Sequence, residues 1–90
     1  MIAERRWDLL GLHIADRAAA MGLRTQMDIA HRTLISRAII ADLLNGRRTS
    51  YSKRTIALLE RGLGWDVGSV ETVLAGGQPT ERATPNTRPA

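Results

Sequence analysis

Apolar residues recur along this chain at helical spacing. Trp7, Leu10, Ile14, Ala18 and Met21 follow one another in steps of three and four before Gly22 interrupts them, so a first helix is expected from about Ala3 to Met21. Thr25 offers a hydroxyl to cap a second, short helix that carries Ile29 and Ala30 and fades by about Thr33. Ser36 repeats the capping signal ahead of Ile40, Leu43 and Leu44, and Gly46 stands where a left-handed residue would close a third helix. A fourth helix is expected from the N-cap Ser52 to about Arg61, with Tyr51 and Ile56 at the spacing of a hydrophobic staple. Gly62 would then follow its C-cap and Leu63 would contact Leu58. Asp66 can cap a fifth helix that ends at Gly76-Gly77, with Trp65 and Val70 as a second staple. The β-branched residues Val67, Val70, Thr72 and Val73 lower helix propensity there and leave a strand as the alternative. Beyond this point no apolar period remains. The expectation is an all-α fold, a single compact domain of about five helices over residues 1–76 with a flexible, disordered tail over 77–90.

Composition narrows the interior and the chemistry. A chain of 90 residues has room for one core. Hydrophobic residues make up 43% and none is Phe, so Leu, Ile, Val, Ala, Met and the two Trp must fill it, which favours packed helices over an aromatic-rich sheet. Without Cys there are no disulfides, thiolate metal sites or thiol nucleophiles. His13 and His31 are far apart and lack a paired ligand spacing, and Asp16, Asp28 and Asp42 are too scattered to form a carboxylate pair. Neither a Ser, His and Asp set nor a Gly-rich phosphate loop appears. No enzyme, metal, cofactor or small-molecule substrate is therefore expected. The longest uninterrupted apolar runs are short pieces such as Ala38 to Ala41, against the roughly 18–20 residues that span a bilayer. With no basic-then-apolar leader, a cytoplasmic location without membrane contact is the expectation.

The net charge is +4, but its location says more than its sum. Between residues 24 and 54, Arg24, Arg32, Arg37, Arg47, Arg48, Lys53 and Arg54 stand against only Asp28 and Asp42, a surplus of five. Residues 1–23 balance, and residues 55–90 carry one more acid than base. A local surplus of this kind is the footprint of a polyanion partner.

The same segment holds a second pattern, over about residues 25–45. Gln26 opens one short helix, and Ala30 puts a small residue where two helices would cross. Ile29, Ile35, Ile40 and Leu43 supply apolar anchors before Asn45-Gly46 closes the next helix. These are the offsets that two short helices joined by a tight turn require. Together with Leu10-Gly11, Ile14, Arg17, Gly22-Leu23, Thr25-Gln26 and Ile35-Ser36, they make residues 10–63 resemble the lambda repressor and Cro family, also called XRE, of helix-turn-helix proteins. Leu63-Gly64-Trp65, Gly68-Ser69-Val70 and Leu74 to Gly77 look like small regulators from actinobacteria and their phages. The bias of 12 Arg to one Lys suits a GC-rich genome.

The resemblance implies a sequence-specific regulator of transcription that binds double-stranded DNA in the bacterial nucleoid, a repressor of phage or prophage type. A homodimer on a palindromic site is usual for the family, and the fifth helix, with Val67, Val70, Val73 and Leu74, would either form that dimer surface or close the core. Base reading falls to Ser36, Arg37, Ala38, Ala41 and Asp42. Arg37 would donate to guanine O6 and N7, Ala38 and Ala41 would approach a thymine methyl, and Asp42 would accept from cytosine N4. Thr25, Gln26, Asn45, Arg47, Arg48, Lys53 and Arg54 would hold phosphates. Two positions depart from the family. Leu34 replaces the usual turn Gly, so either the turn changes geometry or a positive φ costs about 1 kcal/mol or more. Leu44 replaces a Glu that pairs with the Arg matching Arg17, which leaves Arg17 open to a phosphate. The alternative is a protein-interaction module, antitoxin-like or host-factor-binding, that keeps the fold without reading DNA.

Overall fold

A computed structural model describes residues 5–47 and 50–81. Five helices follow one another within them: α1 (Trp7–Ala20), α2 (Gln26–Thr33), α3 (Arg37–Asn45), α4 (Lys53–Gly62) and α5 (Ser69–Leu74). Among the described residues the β-type pairing is one isolated antiparallel bridge, Trp65 to Glu81. The expected all-α single domain is thus the fold of the chain.

The caps show why the middle helices begin where they do. Thr25 Oγ1 accepts from the Asp28 N–H at 3.0 Å, Ser36 Oγ from Ile39 at 3.3 Å and Ser52 Oγ from Thr55 at 3.1 Å, each satisfying an N–H that the helix itself leaves open. At α2 the Asp28 carboxylate also accepts from the N–H groups of Arg24 and Thr25, completing a capping box. Those two backbone donors hold the Asp28 carboxyl below its ordinary pKa of 3.8. A carboxylate with a depressed folded pKa stabilises fully above its unfolded value and loses that contribution as pH falls through the folded one. Asp28→Asn is therefore expected to weaken the fold at neutral pH, and its deficit to shrink as urea-unfolding series are carried below pH 3.8.

The first helix starts at Trp7, and its expected start at Ala3 lies outside the described residues. At the end of α4 the expectation needs correction. Gly62 is the last residue of the helix, and the left-handed residue is Gly64, at φ 69°. The N–H groups of Trp65 and Gly64 reach the carbonyls of Glu60 at 2.8 Å and Arg61 at 3.3 Å, a Schellman closure two residues later than expected. Gly62 serves the packing of α2 on α4 instead, since a Cβ there would come within 2.7 Å of Thr33 Cα.

Helix α5 also begins later than expected, and Asp66 is not its cap. Its N-cap is Gly68, and the buried Glu60 carboxylate accepts from the N–H groups of Gly68 and Val70, both at 3.0 Å. A capping group supplied from α4 makes the nearby Asp66 unnecessary. Glu60→Ala should cost about 2 kcal/mol, because a charge-assisted acceptor is lost and two N–H groups are left without it. Glu60→Gln, which keeps an acceptor oxygen, should cost less, and urea unfolding of the two variants measures the difference.

The core is assembled from every helix. Leu10, Ile14 and Ala18 of α1 meet Ile29 and Ala30 of α2, Ile40 and Leu43 of α3, Leu59 of α4, and Val70, Val73 and Leu74 of α5, with Ile35, Leu63 and Trp65 from the connections. Because its apolar residues are consumed here, α5 closes the core and has no apolar face left for a second copy; Val67, ahead of it, is exposed. The tail expected from Gly77 onward is docked as far as Glu81. Thr80 accepts from the Asp66 N–H at 2.7 Å and exchanges bonds with the buried Ser69 hydroxyl at 3.1 and 3.2 Å. The rest of that expected tail, residues 82–90, lies outside the described residues.

Candidate nucleic-acid interface

Helix α3 is held between α1 and α2 by one side only. Ile40 and Leu43 are buried, while at about 100° per residue Arg37, Ala41, Asn45, Ala38 and Asp42 fall within an arc of about 140° on the other side. Arg37, Ala38 and Asn45 are exposed, Ala41 and Asp42 half-buried. Ser36 is exposed as well, but its oxygen already accepts from Ile39. All five residues expected to read bases thus sit on or beside the outward face of the first part of α3.

Two backbone turns fix that presentation. Gly46 ends α3 at φ 65°, where its left-handed conformation lets the Arg47 N–H return to Asp42 O at 3.0 Å. At the other end Leu34 takes φ 63° and ψ 27°, the left-handed conformation of a glycine turn adopted by a leucine. Of the two expected outcomes the positive φ is the one observed, and the turn carries its strain, about 1–2 kcal/mol for a residue with a Cβ.

Folding also sorts the cations into two sets. Arg5 pairs with Glu71 at 2.6 Å and Arg6 with Asp8 at 3.0 Å, a bond that holds the Asp8 carboxyl below its ordinary pKa. Arg32 Nε donates to Gly62 O at 3.0 Å, and Arg17 Nε to Leu63 O at 2.7 Å. The Arg17 guanidinium also meets Glu81 at 3.2 Å. Arg17 is thereby withdrawn from the expected phosphate role: together with Arg32 it caps the open carbonyls at the C-terminus of α4. Arg24, Arg37, Arg47, Lys53, Arg54 and Arg61 form no internal ion pair or side-chain hydrogen bond with other described residues, and all are exposed. Five cations of the middle segment, Arg24, Arg37, Arg47, Lys53 and Arg54, therefore keep their side chains uncommitted among the described residues, whereas Arg32 and the described arginines of the first segment are bound internally.

No family model, curated protein or solved structure matches the chain. What the surface can do is set by its own groups. A guanidinium offers planar, paired donors and an ammonium a mobile point charge, and both suit anionic oxygens. Lys53 and Arg54 occupy the first turn of α4, where positive charge opposes the helix dipole, a cost that a bound anion reverses.

Other expected contacts are placed less simply. Thr25 and Gln26 are exposed at the start of α2, but the Asp28 carboxylate shares that helix end. Asn45 Nδ2 donates to Ala41 O at 2.8 Å, leaving its carbonyl oxygen and one N–H for a partner. Arg48 lies outside the described residues. Arg24, exposed beside the Thr25 cap, joins the cationic set although it was not among the expected site residues; its place in the charge run was the available signal. Among the described residues no group of three or more His, Asp or Glu gathers as metal ligands, and no helix is long and apolar enough to cross a membrane.

Proposed function

We propose that this chain is a sequence-specific DNA-binding regulator of the lambda repressor and Cro type, a repressor of phage or prophage origin acting on duplex DNA in the cytoplasm. In this reading α2 and α3 form the helix-turn-helix and α3 enters the major groove, whose width of about 12 Å accepts one helix. The observation that carries it is the contrast in arginine usage. The Arg5, Arg6, Arg17 and Arg32 side chains are bound within the chain, while Arg37 projects from α3 and the side chains of Arg24, Arg47, Lys53 and Arg54 make no ion pair or hydrogen bond with other described residues.

Arg37 reads guanine through its paired donors, and the small Ala38 and Ala41 let the α3 backbone approach the base edges. Asp42 selects cytosine N4, because a carboxylate on this face otherwise repels phosphate. The flanking cations set register and affinity without specifying sequence. When two copies share a palindrome, with half-sites one helical turn apart, their contact comes from a surface other than the apolar side of α5.

Selection of bound sequences from random duplex DNA tests the proposal. The wild-type chain should enrich a defined motif at moderate salt. Arg37→Ala should lose about 1–3 kcal/mol of discrimination at one guanine position and keep non-specific affinity. Enrichment of no motif, or of an identical motif by Arg37→Ala, would sink the reading.

A further inference from the structure

The positive-φ residues of the described chain are Gly22, Gly46, Gly64, Gly68, Gly76 and one other, Leu34. Glycine or asparagine meets that backbone requirement with less strain. Leucine returns little to the fold in exchange, since the residue is 77% exposed. Strained backbone positions cluster at sites that contact other molecules, and a side chain turned to solvent is free to make such a contact.

The surroundings of Leu34 say what that molecule offers. A depression of about 320 Å³ is lined by Arg32, Thr33, Leu34, Leu58, Arg61 and Gly62. Its floor is the close crossing of Thr33 and Gly62, and Arg32 is fixed there by its bond to Gly62 O. Arg61 is exposed and has no internal ion partner among the described residues, and no carboxylate lines the depression.

Charge decides among occupants. A second copy placed symmetrically here would set guanidinium against guanidinium. Arg61 stands near the end of α4, about 12 Å along the axis from Lys53, one of the cations assigned to the duplex at the start of that helix. An apolar knob at the rim of a depression that also carries two arginines and no carboxylate complements a chain segment that carries apolar side chains among carboxylates.

We propose that the Leu34, Leu58 and Arg61 surface docks an acidic, apolar-bearing segment of a partner protein. The proposal goes beyond DNA reading and does not depend on it. Short random peptides displayed on phage would be selected on the full chain, and the enriched peptides measured by fluorescence anisotropy. They should combine Asp or Glu with Leu, Ile or Phe. Leu34→Gly and Arg61→Glu should each weaken them by about tenfold or more, while Val67→Ala, at an exposed apolar site on another turn, leaves them unchanged. Leu34→Gly also relaxes the turn, so its thermal midpoint should not fall and lost binding cannot be lost folding.

Three results overturn the proposal. One is the absence of acidic, apolar peptides, or peptides indifferent to both substitutions. Another is a Leu34→Gly variant that binds these peptides normally but loses duplex affinity, which assigns Leu34 to DNA. The third is self-association of the free chain that Leu34→Gly abolishes, which makes a second copy the occupant. Peptide binding is read without DNA, so its failure leaves the duplex selection with Arg37→Ala standing, and the reverse holds as well.

Discussion

Gly11→Ala should lower the stability of the chain by about 2 kcal/mol, although the same change at an open helical site raises it by about 1 kcal/mol. The sign reverses because of where α1 crosses α3. A Cβ at position 11 would stand 2.7 Å from Leu44 O and 2.9 Å from Leu43 O. Both neighbours are backbone, so no rotamer change relieves the clash and the two helices must separate. Overpacking of this kind costs typically 1–3 kcal/mol and here outweighs the gain in helix propensity. For a domain of this size the thermal midpoint should fall by about 8–16 °C, read by circular dichroism. If α3 reads DNA as proposed, duplex affinity measured far below the melting range should fall by more than the unfolded fraction explains, since α3 is the helix displaced. A variant with an unchanged midpoint would show that α1 and α3 do not meet this closely.

The features legible from sequence are those completed within a few residues. Thr25, Ser36 and Ser52 each bond an N–H three positions ahead, so their type and place already contain the interaction. Gly46 was legible for the same reason. Gly62 was not, because glycine near a helix end has two uses, a left-handed stop or a close crossing, and only the position of Thr33 separates them. Glu60 carried no local signal of its role, because its bonds to Gly68 and Val70 require the turn through Gly64 that brings the start of α5 back to it. The docked Thr80 is held by polar bonds, which leave no apolar period in a sequence.

The site divides in the same way. That the middle segment is basic, and that Arg37 opens a helix behind Ser36, could be read directly. Which arginines remain for a ligand could not, because the partners of Arg17 and Arg32 are carbonyls at the end of α4, exposed only when that helix stops at Gly62. Leu34 posed an open question that local rules frame without deciding, a changed turn or a strained one. Packing of α2 and α3 through Ile29, Ile35 and Ile40 accompanies the strained geometry.

That sorting of cations yields the second large effect, a steep response to salt. If Arg24, Arg47, Lys53 and Arg54 each neutralise one phosphate, the logarithm of affinity should fall against the logarithm of salt with a slope of about −3.6 per bound chain. A fourfold rise in salt then weakens binding by about a hundredfold. Lys53→Ala and Arg54→Ala should each reduce the steepness by about 1, equally for cognate and unrelated duplexes, because a phosphate contact carries no sequence information. Arg17→Ala should leave the slope unaltered, since its guanidinium is already committed to Leu63 O and Glu81. Titrations of a labelled duplex across a salt series distinguish these cases. A slope near zero, or a loss of slope on removing Arg17 but not Lys53, would place the ligand's charge against a different face of the molecule.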